Sequence, residues 1–525
     1  MNRRTFLTAA GGAAFSASLQ NRLRSQEADP PIEHRLPATD SDYRGSRSYI
    51  EEAPVAGYHW ASDRAVEAFN DMKFGLRIHW GIYSLFGRPG ESWPFLKLSY
   101  AERQSYNLAY RTWNPAEFDA DAWMSLCQDA GMKMFAFTSK HHEGFSMFDT
   151  RTRVRQRANW TAPAGPAIED CDLAYSIMET PFRRDVVREL TQAAHRRGIK
   201  IDLYFSHSDW YDADFRPYGW HPFQVPSSPE MWGWQPSVES EQQFWDSLKK
   251  RIGDGMAMAP DPTAPQVDRM VERHRAQLTE LLTHYGPIDM MCLDIFWGPK
   301  VWPQMRETIM KVRELQPDVM LRARGIGNYG DYYTPEGFVP ASKESTKMPW
   351  FVIYPLGSSF SYDSDAARYK GAGWIVRNLV DATAKGGNFM VGVGPNGRGS
   401  FHPTAVEQLK EAGRWLKVNG EGIFATRPRE GTLWMEGETL RFTRTKDRRT
   451  VYCFAMAWPG KTLAIRSLNA HEAGRVDMLG YPAPLASRWD ADQGLIIRIP
   501  DELQAESNRP CKYVWGFRIA RVQAA

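Results

Sequence analysis

Cysteine is scarce. The 525-residue chain holds five, Cys127, Cys171, Cys292, Cys453 and Cys511, odd in number, widely spaced and without a Cys-x-x-Cys pair. This excludes a zinc ribbon and a dense disulfide framework. No stretch reaches the ~18 consecutive apolar residues of a membrane-spanning helix. Neither sign of charge prevails: 65 basic residues face 62 acidic ones, and Arg3, Arg4, Arg22 and Arg24 all precede the first acidic residue, Glu27. Without that end the net charge of +3 becomes about −1. The clustered basic excess that marks a nucleic-acid or membrane-surface binder is therefore missing. There is no internal repeat, no low-complexity tract, and no His-x-His or His-Glu-x-x-His spacing of the kind that holds a catalytic metal.

What is present is ordinary globular composition, 42% hydrophobic and 24% charged, with an unusual 20 tryptophans. The length suits two to four domains, or one large α/β barrel with a smaller companion. Aromatic faces stack well on the apolar faces of sugars, bases and peptides. At the N-terminus, Asn2-Arg3-Arg4-Thr5-Phe6-Leu7 and a weakly apolar Ala/Gly stretch to about Leu19 resemble a twin-arginine export signal. Residues 1–27 are therefore expected to be a removable leader, and the mature protein to be periplasmic or extracellular.

Short apolar runs at 73–80, 133–138, 199–205, 288–293, 319–323, 351–354 and 388–393 alternate with amphipathic segments at 119–131, 181–198, 266–285, 302–316, 366–386 and 402–419. This alternation predicts a β/α fold with a parallel sheet, a (β/α)8-like barrel over 28–425. From about Thr426 the texture changes to short β-favouring runs separated by turns, which predicts a β-sandwich over 426–525.

A barrel keeps its chemistry at the C-terminal ends of its strands. Here those ends carry His79, then Lys140-His141-His142-Glu143, then Ser206-His207-Ser208-Asp209-Trp210, Asp294 and Arg324. Any one of them suits a structural hydrogen bond as well as a function, but five polar strand ends are expected to converge on one rim. Asp294 stands out, because Met290 to Leu293 precede it and Ile295-Phe296-Trp297 follow. A carboxylate at the mouth of a core strand needs partners or it neutralises, and Arg324 and the histidines are candidates. Glu336, in a turn-rich segment after the fifth strand, is the next acidic candidate. A fixed and a loop-borne carboxylate suit a retaining glycosidase, whose pair lies ~5–5.5 Å apart.

These residues resemble glycoside hydrolase family 29, the α-L-fucosidases. The resemblance covers about Lys73 to Pro428. It is carried by Lys73-Phe74-Gly75-Leu76-Arg77-Ile78-His79-Trp80-Gly81, by Lys140-His141-His142-Glu143-Gly144-Phe145, by Tyr285-Gly286-Pro287-Ile288-Asp289 leading to Asp294, and by weaker blocks at Gly387-Asn388, Gly394-Pro395 and Asn419-Gly420. It implies a barrel followed by a β-sandwich, and release of terminal α-L-fucose by double displacement without cofactor or metal. By the same resemblance Asp294 is the nucleophile and Glu336 the acid/base, with Glu344 as its rival. His79, His141, His142, Glu91, Trp93, Tyr204 and Arg324 are implied to line the sugar pocket.

Three departures bear on the glycone. Cys292 stands where the family usually has Trp, Ser92 separates Glu91 from Trp93, and Phe351 follows Trp350 where many members carry Glu. All three are expected to touch the pocket wall, which leaves L-galactose open as the sugar, since an apolar pocket rejects an added hydroxyl by only about a hundredfold. Two other classes stay open: a metal-dependent barrel hydrolase using the same histidines, and a glycan-binding protein without catalysis. The expected partner is a fucosylated glycan, not nucleic acid or membrane, with the oligomeric state left open.

Two more features have a functional and a plain reading. Trp210, Tyr211, Phe215, Tyr218, Trp220, Phe223, Trp232, Trp234 and Trp245 form either a sugar-stacking wall or a satellite core. Arg151, Arg153, Arg155 and Arg157 alternate, either to meet an acidic glycan or as a solvated loop.

Overall fold

The computed structural model describes residues 32–36, 50–216, 221–223, 262–294, 297, 301–335, 347–430 and 433–520. The leader expected at 1–27, both Glu336 and Glu344, and Tyr218, Trp220, Trp232, Trp234 and Trp245 lie outside these residues. All elements below belong to the unit His34–Ala525.

Seven strands form one parallel sheet: β1 (Phe74–Ile78), β2 (Met134–Lys140), β3 (Lys200–Ser206), β4 (Met290–Asp294), β5 (Met320–Leu321), β6 (Phe351–Pro355) and β7 (Asn388–Val393). Their lateral order is β5-β4-β3-β2-β1-β7-β6. β1 lies between β2 and β7, with Leu76 opposite both Phe135 and Val391. Single bridges Arg322↔Tyr332 and Tyr333↔Trp350 then join the two edges, so Tyr332–Tyr333 serves as the eighth stave. Closure removes the open edges that a seven-stranded sheet would expose.

The apolar runs become strands because alternate residues serve two cores. Phe74, Leu76, Ile78, Phe135, Phe137, Leu203, Phe205, Met291 and Leu293 are buried in the large apolar cluster that includes the surrounding helices. The residues between them face inward, where Arg77 meets Asp202 at 3.6 Å, Arg322 meets the Cys292 sulfur at 2.9 Å and Tyr204 meets Asp294. At the N-terminal mouth, Phe69 of α1 (Asp63–Met72) packs on Tyr332 and Phe351, with ring centroids 5.0 and 6.0 Å away. Phe351 therefore packs beside Phe69 and Tyr332 instead of contributing to a pocket wall, which corrects the expectation for that position. Cys292 is likewise buried beneath Asp294, inside the barrel.

The amphipathic segments fold as helices close to their expected bounds, among them Ala120–Asp129, Val186–Arg197, Ala264–Thr283, Trp302–Leu315, Ala372–Ala384 and Pro403–Asn419. Periodicity did not reveal the antiparallel hairpin Val154–Asn159/Ala167–Leu173. It carries Arg153 and Arg155 to Asp172, and Arg157 to Glu169; Arg151 pairs with Asp149. The alternating arginines are thus spent on neighbouring acids. Trp210, Tyr211, Phe215 and Phe223 are buried, as a satellite core requires.

The C-terminal part has two sheets, one built on Leu440–Arg444, Thr450–Ala455 and Trp515–Ala520, the other on Thr462–Ile465, Gly494–Arg498 and Ser487–Asp490. Phe442, Cys453 and Phe517 of the first share a core with Leu463, Ile465 and Ile497 of the second, the mark of a sandwich. Tyr452, Phe454 and Val514 instead join the barrel's apolar cluster, and the Trp415 indole donates to the Val514 carbonyl at 2.7 Å. Among the described residues no helix is long and apolar enough to cross a membrane.

The closing stave depends on a close backbone approach. A Cβ on Gly330 would lie 2.4 Å from the Ala323 Cα and 2.6 Å from its nitrogen, just where the Ala323 amide donates to the Tyr332 carbonyl. Gly330→Ala should therefore destabilise the protein by about 1–3 kcal/mol, as overpacking does, read as a lowered midpoint in chemical or thermal unfolding. An unchanged midpoint would mean that the ring closes less tightly there.

Candidate active site

Four strands bring the central residues together. The alternation of β3 and β4 points Tyr204 and Asp294 into the barrel, while His79 follows β1 and His141-His142 follow β2. The Tyr204 hydroxyl donates to Asp294 Oδ2 at 2.6 Å, and Arg324 Nε lies 3.1 Å from Oδ1. His142 Nε2 is 4.0 Å from Oδ2. Asp294 is 7% exposed.

Burial by itself would raise the Asp294 pKa, but the charges of Arg324 and Arg322, then His142 and the Tyr204 hydrogen bond, hold it well below the usual carboxylate range. Asp294 is therefore held as an anion at neutral pH. The histidines have the opposite character. Burial pushes His79 and His141 well below the usual imidazole range and His142 down to about 4. Neutral imidazoles offer one donor and one acceptor each, a match for sugar hydroxyls.

Second partners fix the ring orientations. His142 Nδ1 meets Ser206 Oγ at 2.7 Å and His141 Nδ1 meets Ser92 Oγ at 2.5 Å, which leaves Nε2 of each ring for the pocket. His141 stacks on Tyr204 with centroids 5.3 Å apart, and His79 stacks on Phe360 at 4.8 Å. The Nδ1 atom of His79 is buried without a partner. Trp93 stands edge-on to His142 at 4.8 Å and to Trp210 at 5.5 Å.

Glu91 has a φ of 51°, a left-handed conformation that costs a non-glycine residue on the order of 1–3 kcal/mol. Ser361 offsets part of that cost: its hydroxyl accepts from the Glu91 amide at 2.8 Å and donates to Oε1 at 3.2 Å.

The predicted residues thus divide. Asp294, Tyr204, His142, His141, His79, Trp93 and Arg324 are linked by these contacts, and Glu91 sits beside them through Ser361. Lys140, His207 and Asp209 do not join them. Lys140 and Asp209 lie 3.7 Å apart in a buried network with Arg273, and His207 Nδ1 meets His274 Nε2 at 2.9 Å. Ser92, expected at the pocket wall, and Ser206, among the polar strand ends, meet the site histidines, whereas sequence reasoning missed Arg322, Phe360 and Ser361. For the Phe360-Ser361 pair no sequence signal exists, because a loop places it.

Comparison with known proteins agrees with this geometry. The family model described as alpha-L-fucosidase matches residues 55–421, and that for the alpha-L-fucosidase C-terminal domain matches 436–520. The chain is 25% identical over 477 residues to the human tissue alpha-L-fucosidase, covering 87% of this chain and 89% of the relative. It is 24% identical over 481 residues to the rat plasma alpha-L-fucosidase, covering 86% and 91%. In fold it resembles alpha-L-fucosidase isoenzyme 1 of Paenibacillus thiaminolyticus, with a TM-score of 0.69 at 23% identity over 88% of this chain and 99% of that one. It also resembles the Thermotoga maritima alpha-fucosidase solved with fucose, with a TM-score of 0.62 at 22% identity over 86% and 96%. With its catalytic-domain model spanning most of the barrel and the companion model spanning the sandwich, the chain belongs to the alpha-L-fucosidase family.

Proposed function

We propose that the protein hydrolyses terminal α-L-fucosides of oligosaccharides or glycans by double displacement with net retention. Asp294 attacks the anomeric carbon as the leaving oxygen takes a proton from Glu336, and water activated by Glu336 then releases the sugar. His79, His141, His142, Glu91, Trp93, Tyr204 and Arg324 bind and orient the glycone. Residues 1–27 export the protein, 28–425 carry the catalysis and 426–525 form the companion sandwich.

One observation carries the reading: an aspartate kept anionic beside three neutral imidazoles, in a site drawn from four barrel strands. The charge is available for attack, and the rings can hold hydroxyls without competing for the carboxylate as cations would. The relative from Bacteroides thetaiotaomicron, trapped as a covalent intermediate with 2-fluoro-fucosyl fluoride, supports the same chemistry here.

Hydrolysis of an aryl α-L-fucoside beside the matching α-L-galactoside, with the first-formed anomer followed by NMR, tests the reaction. Fucoside cleavage should give the α-anomer first, and Asp294→Ala should lower kcat by on the order of 10³-fold or more with the fold intact. Inversion, or an active variant, would refute the assignment of Asp294. Glu336→Ala should slow poor leaving groups most and recover with azide; otherwise Glu344 takes the acid/base role.

The pH dependence of sugar binding has a definite sign. His142 titrates at about 4, so its acceptor is present above that pH and lost below it. Inhibition by L-fucose should hold steady from pH 7 to 5 and weaken below about 4, with circular dichroism confirming that the fold persists. A loss centred near 6.5, the ordinary imidazole value, would show that the rings are more hydrated.

A further inference from the structure

Directly behind the sugar-facing histidines lies an acid that the mechanism does not use. Glu143 follows His142 in the loop after β2, and its side chain is 2% exposed. Its Oε2 is 3.7 Å from Nδ1 of His141, the nitrogen that Ser92 also meets. The Ser92 hydroxyl interacts with the Glu143 carboxyl as well, although both carboxyl oxygens are buried outside any standard hydrogen bond, so Glu143, Ser92 and His141 form a short buried row ending at the ring edge that faces the pocket.

The direction of hydrogen bonding along such a chain is set by its far end. With Glu143 protonated, the carboxyl donates to Ser92, Ser92 donates to Nδ1 of His141, and the ring carries its proton on Nε2, toward the sugar. With Glu143 ionised, Nδ1–H donates to Ser92, Ser92 donates to the carboxylate, and Nε2 becomes an acceptor. The two states differ by one proton, released to solvent from the Nε2 end.

We propose that Glu143 is a positioning residue that, in its protonated form and through Ser92, holds His141 in the tautomer presenting an N–H to the glycone. The inference rests on the fucosidase reading for its ligand but not for its tautomer. Burial pushes the Glu143 carboxyl up to about 8, opposed first by its own backbone amide, then by Ser92 and Lys140, and reinforced by Asp209. Tyr83, Tyr106 and Tyr175 also face it. All three phenols are themselves raised well above 10, so they stay neutral, and His141 is neutral throughout. Glu143 therefore changes charge in the mildly alkaline range; Lys140, lowered by burial to about 8, shares that range from its place beside Asp209 and Gln277, and the Glu143→Gln variant separates the two titrations.

The test compares wild type, Glu143→Gln, Glu143→Ala and Ser92→Ala by competitive inhibition with L-fucose from pH 5 to 9. Wild-type affinity should fall severalfold as pH passes about 8. Glu143→Gln keeps a donor that cannot ionise, so it should bind at pH 6 nearly as wild type and lose the alkaline decline. Glu143→Ala and Ser92→Ala should each bind about tenfold more weakly at pH 6, the loss of one hydrogen bond in the chain. Ring ¹⁵N NMR, with His141 assigned by its disappearance in His141→Asn, should report the Nε2–H form at pH 6 in wild type and Glu143→Gln, without any sugar. A decline that survives in Glu143→Gln, or a His141 with its proton on Nδ1 at pH 6, would overturn the proposal. A wild type that shows the Nε2–H tautomer yet binds no L-fucose would instead overturn the fucosidase reading.

Discussion

The contact on which the site depends is the 2.6 Å hydrogen bond from Tyr204 to Asp294 across adjacent barrel strands. An ionised carboxylate inside a protein is costly unless it is paired and hydrogen-bonded. Tyr204 supplies the hydrogen bond, Arg324 supplies the charge at 3.1 Å, and Arg322 adds a second positive charge. The parallel register of β3 and β4, with Ser206 opposite Asp294 and Tyr204 opposite Cys292, sets the first of these distances. A slip of one residue would turn Asp294 outward among the helices.

The surrounding residues can be understood as accommodations to that anion. Neutral histidines bring polar atoms close without acting as competing cations, and their buried second partners, Ser92 and Ser206, keep the rings in place. The N-terminal mouth is sealed by Phe69, while the C-terminal mouth remains for the sugar. Closure of the ring through only two residues, Tyr332–Tyr333, brings Arg322 and Arg324 to the site, because the short β5 hands the chain over to a turn in place of a long strand.

The same economy explains why several attractive polar residues stay out of the chemistry. Lys140 and Asp209 occupy a dry network with Arg273, and the arginines of the hairpin have acidic neighbours. The Lys140, Asp209 and Arg273 group is buried next to the segment that carries His141 and His142, and removing one member would strand a buried charge. Glu143 differs because a ring that faces the sugar, His141, lies 3.7 Å from it.

The primary structure alone determined the barrel and the sandwich, since apolar runs of strand length alternating with amphipathic segments leave few other ways to bury both faces of a parallel sheet. It also marked Asp294, whose flanking apolar residues require a core strand ending in a charge. Glu336 was marked by sequence too, but it lies outside the described residues and its role remains a proposal. Only the tertiary structure decided which polar strand ends converge: His79, His141, His142 and Arg324 turn to Asp294, whereas Lys140, His207 and Asp209 turn away. It alone brought in Phe360 and Ser361, gave Ser92 its partner in His141, placed Phe351 against Phe69 at the N-terminal mouth, and closed the ring through Tyr332–Tyr333. The physical reason is that periodicity encodes which face of an element is buried, while the partner that a polar side chain meets depends on loops and register from segments tens to hundreds of residues away.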